Sequence, residues 1–444
     1  MGEANGRQVQ GQLFAEPQGS APARAPRVGA RRLRRPEREQ VEWRETCLDE
    51  LLPAEHEARL VWAYVEGLDL SALEAEIQSV ESGAGHPAAD PRLLVALWLY
   101  STLRGNGSAR ELARLCTAHS AWRWLCGGVS VNYHSLSDFR VAHAALLEEL
   151  LTVSVASLLH VGAVQLERVA QDGMRVRAAA GAASFRRRET LERCLAQAEE
   201  QVALLKQEAE GDGARGTRRQ QAARQRAAEE RRSRVAEALA QLPAVAAKKK
   251  KKAEREQARA STTDPDARVM KMPDGGYRPA HNIQYATDTE TGIIVGVEVV
   301  NAGSDMGQLA PMVEQITERC EQAPEVMLVD GGFAKLEDIE TVSATTVVYC
   351  PVPKPRDKSR DPHQRLPGDS AAVGQWRERM GTAQAKEIYK ERAASAELVN
   401  AQARNHGLYQ LPVRGLPKAR AVALWYALAH NLRRLIALGL VTVG

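Results

Sequence analysis

The sequence predicts an α/β protein: a mixed sheet flanked by helices, preceded by an all-helical domain and interrupted by an antiparallel helical hairpin. Three observations predict it. From about Cys47 to Val164 the apolar residues recur at helical spacing. Short apolar runs such as Val326–Val329 and Thr345–Tyr349 then alternate with helical stretches. Between 185 and 260 a charged segment carries Leu191, Leu195, Ala198, Val202 and Leu205 at alternating spacings of four and three. The 444 residues suffice for two or three domains. With 44% hydrophobic and 26% charged residues, the composition excludes collagenous, wholly disordered and disulfide-stapled chains.

The elements follow in order. Residues 1–45 read as a disordered basic tail, with seven arginines against one glutamate between Arg24 and Arg38. Residues 46–164 read as a helical domain. Asp90-Pro91 opens a helix as a capping acid followed by proline. Arg104–Gly107 ends it, Ser108 caps the next, Ser120–Leu125 forms a short one, and Ser135 or Ser137 caps another. Short helices joined by tight turns suit a helix-turn-helix-like module, as they suit any small bundle.

Residues 165–440 read as a mixed α/β domain. Leu166–Gly173 forms a strand ending on Asp172. The 185–260 hairpin interrupts the domain there, turning at Gly211–Gly216 and returning through five lysines, Lys248–Lys252. Strands Tyr277–Ala286 and Ile293–Val300 flank a turn at Asp288–Gly292, and a helix runs from Met306 to Cys320. Val326–Asp330 and Thr345–Tyr349 are buried strands. Helices over 376–405 and 418–438 close the chain.

Asp172 and Asp330 each close an apolar strand and precede a glycine, where α/β sheets gather their sites. A carboxylate there suits a hard cation such as magnesium, although Asp-Gly also simply starts turns. Asp264 and Asp266 compete with them, while Asp288 reads as turn chemistry and Asp305 as a helix cap. A third acid must come from a late helix, from Glu387, Glu391 or Glu397. Glu397 shares a helix face with Arg404, seven residues on, and follows Tyr389 and Arg392. No Walker lysine, G-x-G-x-x-G, G-x-S-x-G or H-E-x-x-H pattern occurs. His430, in an apolar helix, reads as a core residue. Six dispersed cysteines fit reduced thiols in the cytoplasm, and no membrane segment is expected.

Asp90-Pro-Arg-Leu-Leu-Val-Ala-Leu-Trp-Leu-Tyr100, Trp122–Gly128 and His134-Ser-Leu-Ser-Asp-Phe-Arg140 resemble the amino-terminal domain of bacterial insertion-sequence DDE transposases. Thr263–Met270, Gly276–Gln284, Arg414–Lys418 and Ala429–Leu432 resemble their catalytic domain. The resemblance implies an RNase H-like core with three metal-binding catalytic acids, matched by Asp172, Asp330 and Glu397. Tyr389 and Arg392 match the accompanying Tyr-Arg pair, and Arg404 stands in the lysine position; these three are implied DNA contacts. One extra residue separates Arg392 from Glu397 relative to the usual spacing. The resemblance further implies two magnesium ions, replaceable by manganese, and double-stranded DNA as partner, both element ends and target. A homodimer or larger assembly on DNA follows, with end cleavage and transfer of 3′-hydroxyls to target DNA. A DNA-binding regulator that has lost cleavage, and a nuclease without strand transfer, remain the alternatives.

Overall fold

The computed structural model describes residues 39, 41, 45–79, 87–210, 217–355, 357 and 359–442. The basic run between Arg24 and Arg38 and the turn at 211–216 lie outside the described residues. The chain divides into Met1–Thr46 and Cys47–Gly444, and all the secondary structure described belongs to the second unit.

A six-stranded mixed sheet forms the centre. Its strands are β1 (Arg168–Arg177), β4 (Arg268–Lys271), β5 (Tyr277–Asp288), β6 (Ile294–Val300), β7 (Val326–Leu328) and β8 (Val347–Tyr349). Two short strands, β2 (Phe185–Arg186) and β3 (Ala260–Ser261), pair apart from it. β5 pairs antiparallel with β1 along one edge, and with β4 and then β6 along the other. β7 joins β1 in parallel, and β8 joins β7 in parallel. Parallel strands need both faces covered, which explains the unbroken apolar runs in β7 and β8.

The amino-terminal helices begin where capping chemistry allows. Asp90 accepts from the Arg92 amide, Pro91 opens the Pro91–Leu103 helix, and Ser108 accepts from the Glu111 amide. The Tyr133–Ala142 helix is capped by Asn132 rather than by Ser135 or Ser137. These helices share one apolar core with the sheet and with the last helix, Leu416–Ala437. Trp98 and Trp425 stack with ring centres 6.5 Å apart; their indole nitrogens donate to the carbonyls of Leu136 and Arg140. Glu148 bridges Arg319 and Arg420 across the same junction. No single helix among the described residues is long and apolar enough to cross a membrane.

Between β2 and β3 run two long helices, Arg188–Glu210 and Arg218–Ala247. Lys206 pairs with Glu229 and Arg231 donates to Gln201, so the two lie antiparallel. Leu191, Val235, Ala238 and Leu242 bury their seam. Gln241 donates to Asp266, whose other oxygen accepts from the Leu416 amide at 2.9 Å. Asp264, buried against His281 at 3.0 Å, accepts from the Gly415 amide. The two aspartates thus satisfy amide groups that the start of the last helix would leave unpaired. Asp305 is no helix cap, because the helix after it begins only at Leu309. Its buried carboxylate instead accepts from Asn282 and Gln284.

Candidate active site

Asp172 does not end its strand. β1 continues five residues further, to Arg177, because β5 pairs with it throughout. What ends near Asp172 is the pairing with β7: Ala170 faces Leu328 in parallel register, the last such pair. Asp172 and Asp330 each lie two residues past that pair, side by side. Asp330 leaves β7 to cap the Gly331–Phe333 turn, accepting from the Gly332 amide at 2.7 Å. Gly173 is required by the close packing beneath. A Cβ there would lie 2.0 Å from Asp305 Oδ1 and 2.4 Å from Gln284 Nε2.

The third acid arrives on a broken helix. The single helix expected over 376–405 is three α-helical pieces, Ala371–Gly381, Ala383–Tyr389 and Leu398–Asn405, with a π-helical turn at Ala393–Glu397. A π-turn holds one residue more than an α-turn. The extra residue between Arg392 and Glu397 therefore sits in a local bulge, and Glu397 and Arg404 both line one cleft of about 720 Å³ with Asp172 and Asp330. Glu391 pairs with Arg168 at 2.6 Å and Glu387 with Lys390 at 2.6 Å, and neither lines the cleft.

Arg392 sits among the acids. Its guanidinium is 3.1 Å from Asp172, 3.9 Å from Asp330 and 3.2 Å from Glu397, and its side chain is only 10% exposed. Burial alone would lower its pKa; Asp172, Tyr389, Asp330 and Glu397 outweigh that and raise it. Burial raises the Asp172 pKa, with Asp330 and Asp305 adding to the effect, while Arg392 and a hydrogen bond from Asn400 oppose it. Tyr389, half-buried beside Arg392, is pushed up to about 12 by burial and stays protonated.

The sequence reading missed Asn400. Its Nδ2 donates to Asp172 Oδ2 at 2.9 Å, and its own Oδ1 has no partner among the described residues. Its spacing of three residues from Glu397 was the available signal.

Among the described residues, no group of three or more His, Cys, Asp or Glu side chains is gathered closely enough to hold a metal. The acids instead surround a guanidinium. Three carboxylates against Arg392 and Arg404 leave the cleft with a net negative charge, and oxygen donors suit a hard divalent cation.

Residues 46–142 match the family model described as Transposase domain (DUF772), and residues 350–436 match the one described as Transposase DDE domain. Both matched models describe transposase domains, and together they support a DDE transposase of an insertion sequence. Glu397, Arg392, Asn400 and Arg404 fall within the second match, whereas Asp172 and Asp330 lie between the two. No curated protein and no solved structure matches the chain. Transposases act on DNA, which makes DNA the partner class of this family.

Proposed function

We propose that this transposase binds the terminal inverted repeats of its element, hydrolyses a phosphodiester at each end and joins the freed 3′-hydroxyls to target DNA. The observation that carries the proposal is the register between β1 and β7, which sets Asp172 beside Asp330 in the cleft that Glu397 also lines. Asp172, Asp330 and Glu397 are the proposed catalytic and metal-holding acids. A bound divalent cation, magnesium or manganese and two ions in the working site, would activate the attacking oxygen and stabilise the leaving one.

The chain's own groups have distinct tasks in this reading. Asn400 fixes one oxygen of Asp172, while the other meets Arg392 and the Gly173 amide at the cleft. Arg404, exposed on the cleft wall without an ion-pair partner among the described residues, takes a phosphate of the bound strand. Arg392 neutralises the acids before the substrate arrives and offers its charge to the phosphate afterwards, with Tyr389 packed beside it. No covalent enzyme intermediate is required, since a water or a 3′-hydroxyl can attack the phosphorus directly and the leaving oxygen departs in the same displacement.

The same reading assigns an RNase H-like core to 165–440, with the helices of 185–260 as an inserted hairpin. Residues 46–164 recognise the ends, 1–45 form a basic arm, and a dimer or larger assembly in the cytoplasm joins two ends. The exposed Lys248–Lys252 run is a proposed phosphate contact. The test is an excision assay on a plasmid bearing the sequences that flank the gene. Excision with strand transfer supports the proposal; binding without cleavage marks a regulator, and cleavage without joining marks a nuclease.

A further inference from the structure

A second cleft, of about 790 Å³, opens between the Ala109–Ala118 and Tyr133–Ala142 helices and the segment Gly407–Pro412. Its chemistry is that of a nucleotide site. Tyr409, 64% exposed, and Tyr133, 37% exposed, present aromatic faces. Arg110 lies 5.3 Å over the Tyr133 ring, and the ring centre of His134 is 4.0 Å from that of Tyr133. Residues of the first turns of both ten-residue helices border the cleft.

A buried cation supplies an independent pointer to a ligand. Arg140 is 93% buried, with its guanidinium 5.0 Å over the Trp98 ring, and it lines the cleft. One of its nitrogens donates to the Gly107 carbonyl, but Nε has no partner among the described residues. A buried guanidinium donor left unpaired at a cleft wall is costly unless an anion or acceptor meets it. Asp138, on the same wall, offers an acceptor for base amino groups.

The position relates this cleft to the proposed active site. The Leu398–Asn405 helix carries Asn400 and Arg404 on the catalytic cleft and leads directly into Gly407–Pro412. That helix is about 12 Å long. β1, which carries Asp172, also reaches the second cleft: the Arg177 amide donates to the Tyr409 carbonyl, and the Leu411 amide donates back to Arg177.

We infer that this cleft binds a short single-stranded stretch of DNA continuous with the strand in the catalytic cleft, its bases on Tyr409 and Tyr133 and its phosphates at Arg110 and Arg140. The inference rests on the DNA-processing reading and deepens it. A duplex does not fit, because its base faces are already stacked and the cleft is the size of a small-ligand site.

The test uses the full-length protein without divalent cation and a fluorescein-labelled oligothymidylate of about 12 nucleotides, with a duplex of equal length as control. Fluorescence anisotropy at fixed salt reads the affinity. Tyr409→Ala and Tyr133→Ala are each expected to weaken oligothymidylate binding by about tenfold and to change duplex binding by less than about twofold. Tyr409→Phe, which keeps the ring face, should bind as wild type does. Arg110→Gln should weaken binding and flatten its salt dependence. Unchanged oligothymidylate affinity in Tyr409→Ala and Arg110→Gln, or equal losses on duplex and single strand, would overturn the inference. Cleavage plays no part in the readout, so failure of the proposed reaction would leave this result standing.

Discussion

The guanidinium of Arg392 lies 3.1 Å from the carboxylate of Asp172, and both groups are largely buried. The arrangement places one fixed cation where three acids converge. Without it, Asp172 and Asp330 would face each other with like charge. In the proposed reading, Arg392 and a bound divalent ion would serve the same electrostatic task.

Replacing Arg392 by Gln should destabilise the metal-free protein by about 3 kcal/mol, since removing one partner leaves a buried charge uncompensated. Magnesium should restore much of that loss by binding the folded state. Urea denaturation with and without magnesium measures both effects. Equal stability of wild type and variant in the absence of metal would refute this role for Arg392.

Asn400→Ala should lower the cleavage rate by about tenfold or more while DNA binding persists, because the hydrogen bond that orients Asp172 disappears. Asn400→Asp should be worse than Asn400→Ala, since it sets a second carboxylate against Asp172. Single-turnover cleavage of a fixed substrate gives the comparison; a milder effect from Asp than from Ala would remove the orienting role.

The π-turn gives a register test. Deleting Ala394 should remove the extra residue, convert Ala393–Glu397 to an ordinary helical turn and leave Glu397 on nearly the same face relative to Arg392, since four residues at about 100° replace five in the wider turn. Cleavage should therefore persist, with circular dichroism unchanged. Glu391→Gln and Glu387→Gln should retain most activity, because their partners, Arg168 and Lys390, lie away from the cleft. A deletion variant as inactive as Glu397→Gln would mean that the bulge does not absorb the extra residue.

His430 predicts a pH effect on stability. It is buried, with Nε2 2.8 Å from the Gly292 carbonyl. Burial lowers its pKa to about 4, against the opposing pull of that carbonyl. A folded-state value below the unfolded one means that the unfolded chain binds the proton more readily. Stability should therefore be intact above pH ~6.5 and fall by on the order of 3 kcal/mol as pH drops toward ~4. His430→Gln should flatten that slope in urea titrations across the window; an unchanged slope would assign it to other groups.

Much of this architecture was legible in the sequence because local chemistry dictates it. Asp90-Pro91 had to start a helix, and the apolar run at Val326 had to be a buried strand. The acids at 172 and 330 stood out beside their glycines. Other features depend on contacts between distant residues. The continuation of β1 past Asp172 comes from pairing with β5, more than a hundred residues on. Asp305 read as a cap because it precedes a helix, yet its carboxylate is claimed by Asn282, Gln284 and Arg175. The extra residue after Arg392 was visible, but its absorption in a π-turn was not, since no side-chain type marks such a turn. Arg392 read as a phosphate contact by its place in a motif, and its position among the acids follows from the packing of that broken helix against β1.

The central claim is that Asp172, Asp330 and Glu397 form one metal-dependent site for phosphodiester chemistry. The most direct measurement compares wild type and Asp330→Asn on DNA bearing the element's ends, scoring binding by gel shift and cleavage in magnesium. Asp330→Asn keeps the side-chain size and removes the charge, while binding rests on phosphate and base contacts elsewhere. The account predicts end binding within about twofold of wild type and cleavage reduced by roughly a hundredfold or more. Cleavage by Asp330→Asn at a rate comparable to wild type would contradict it.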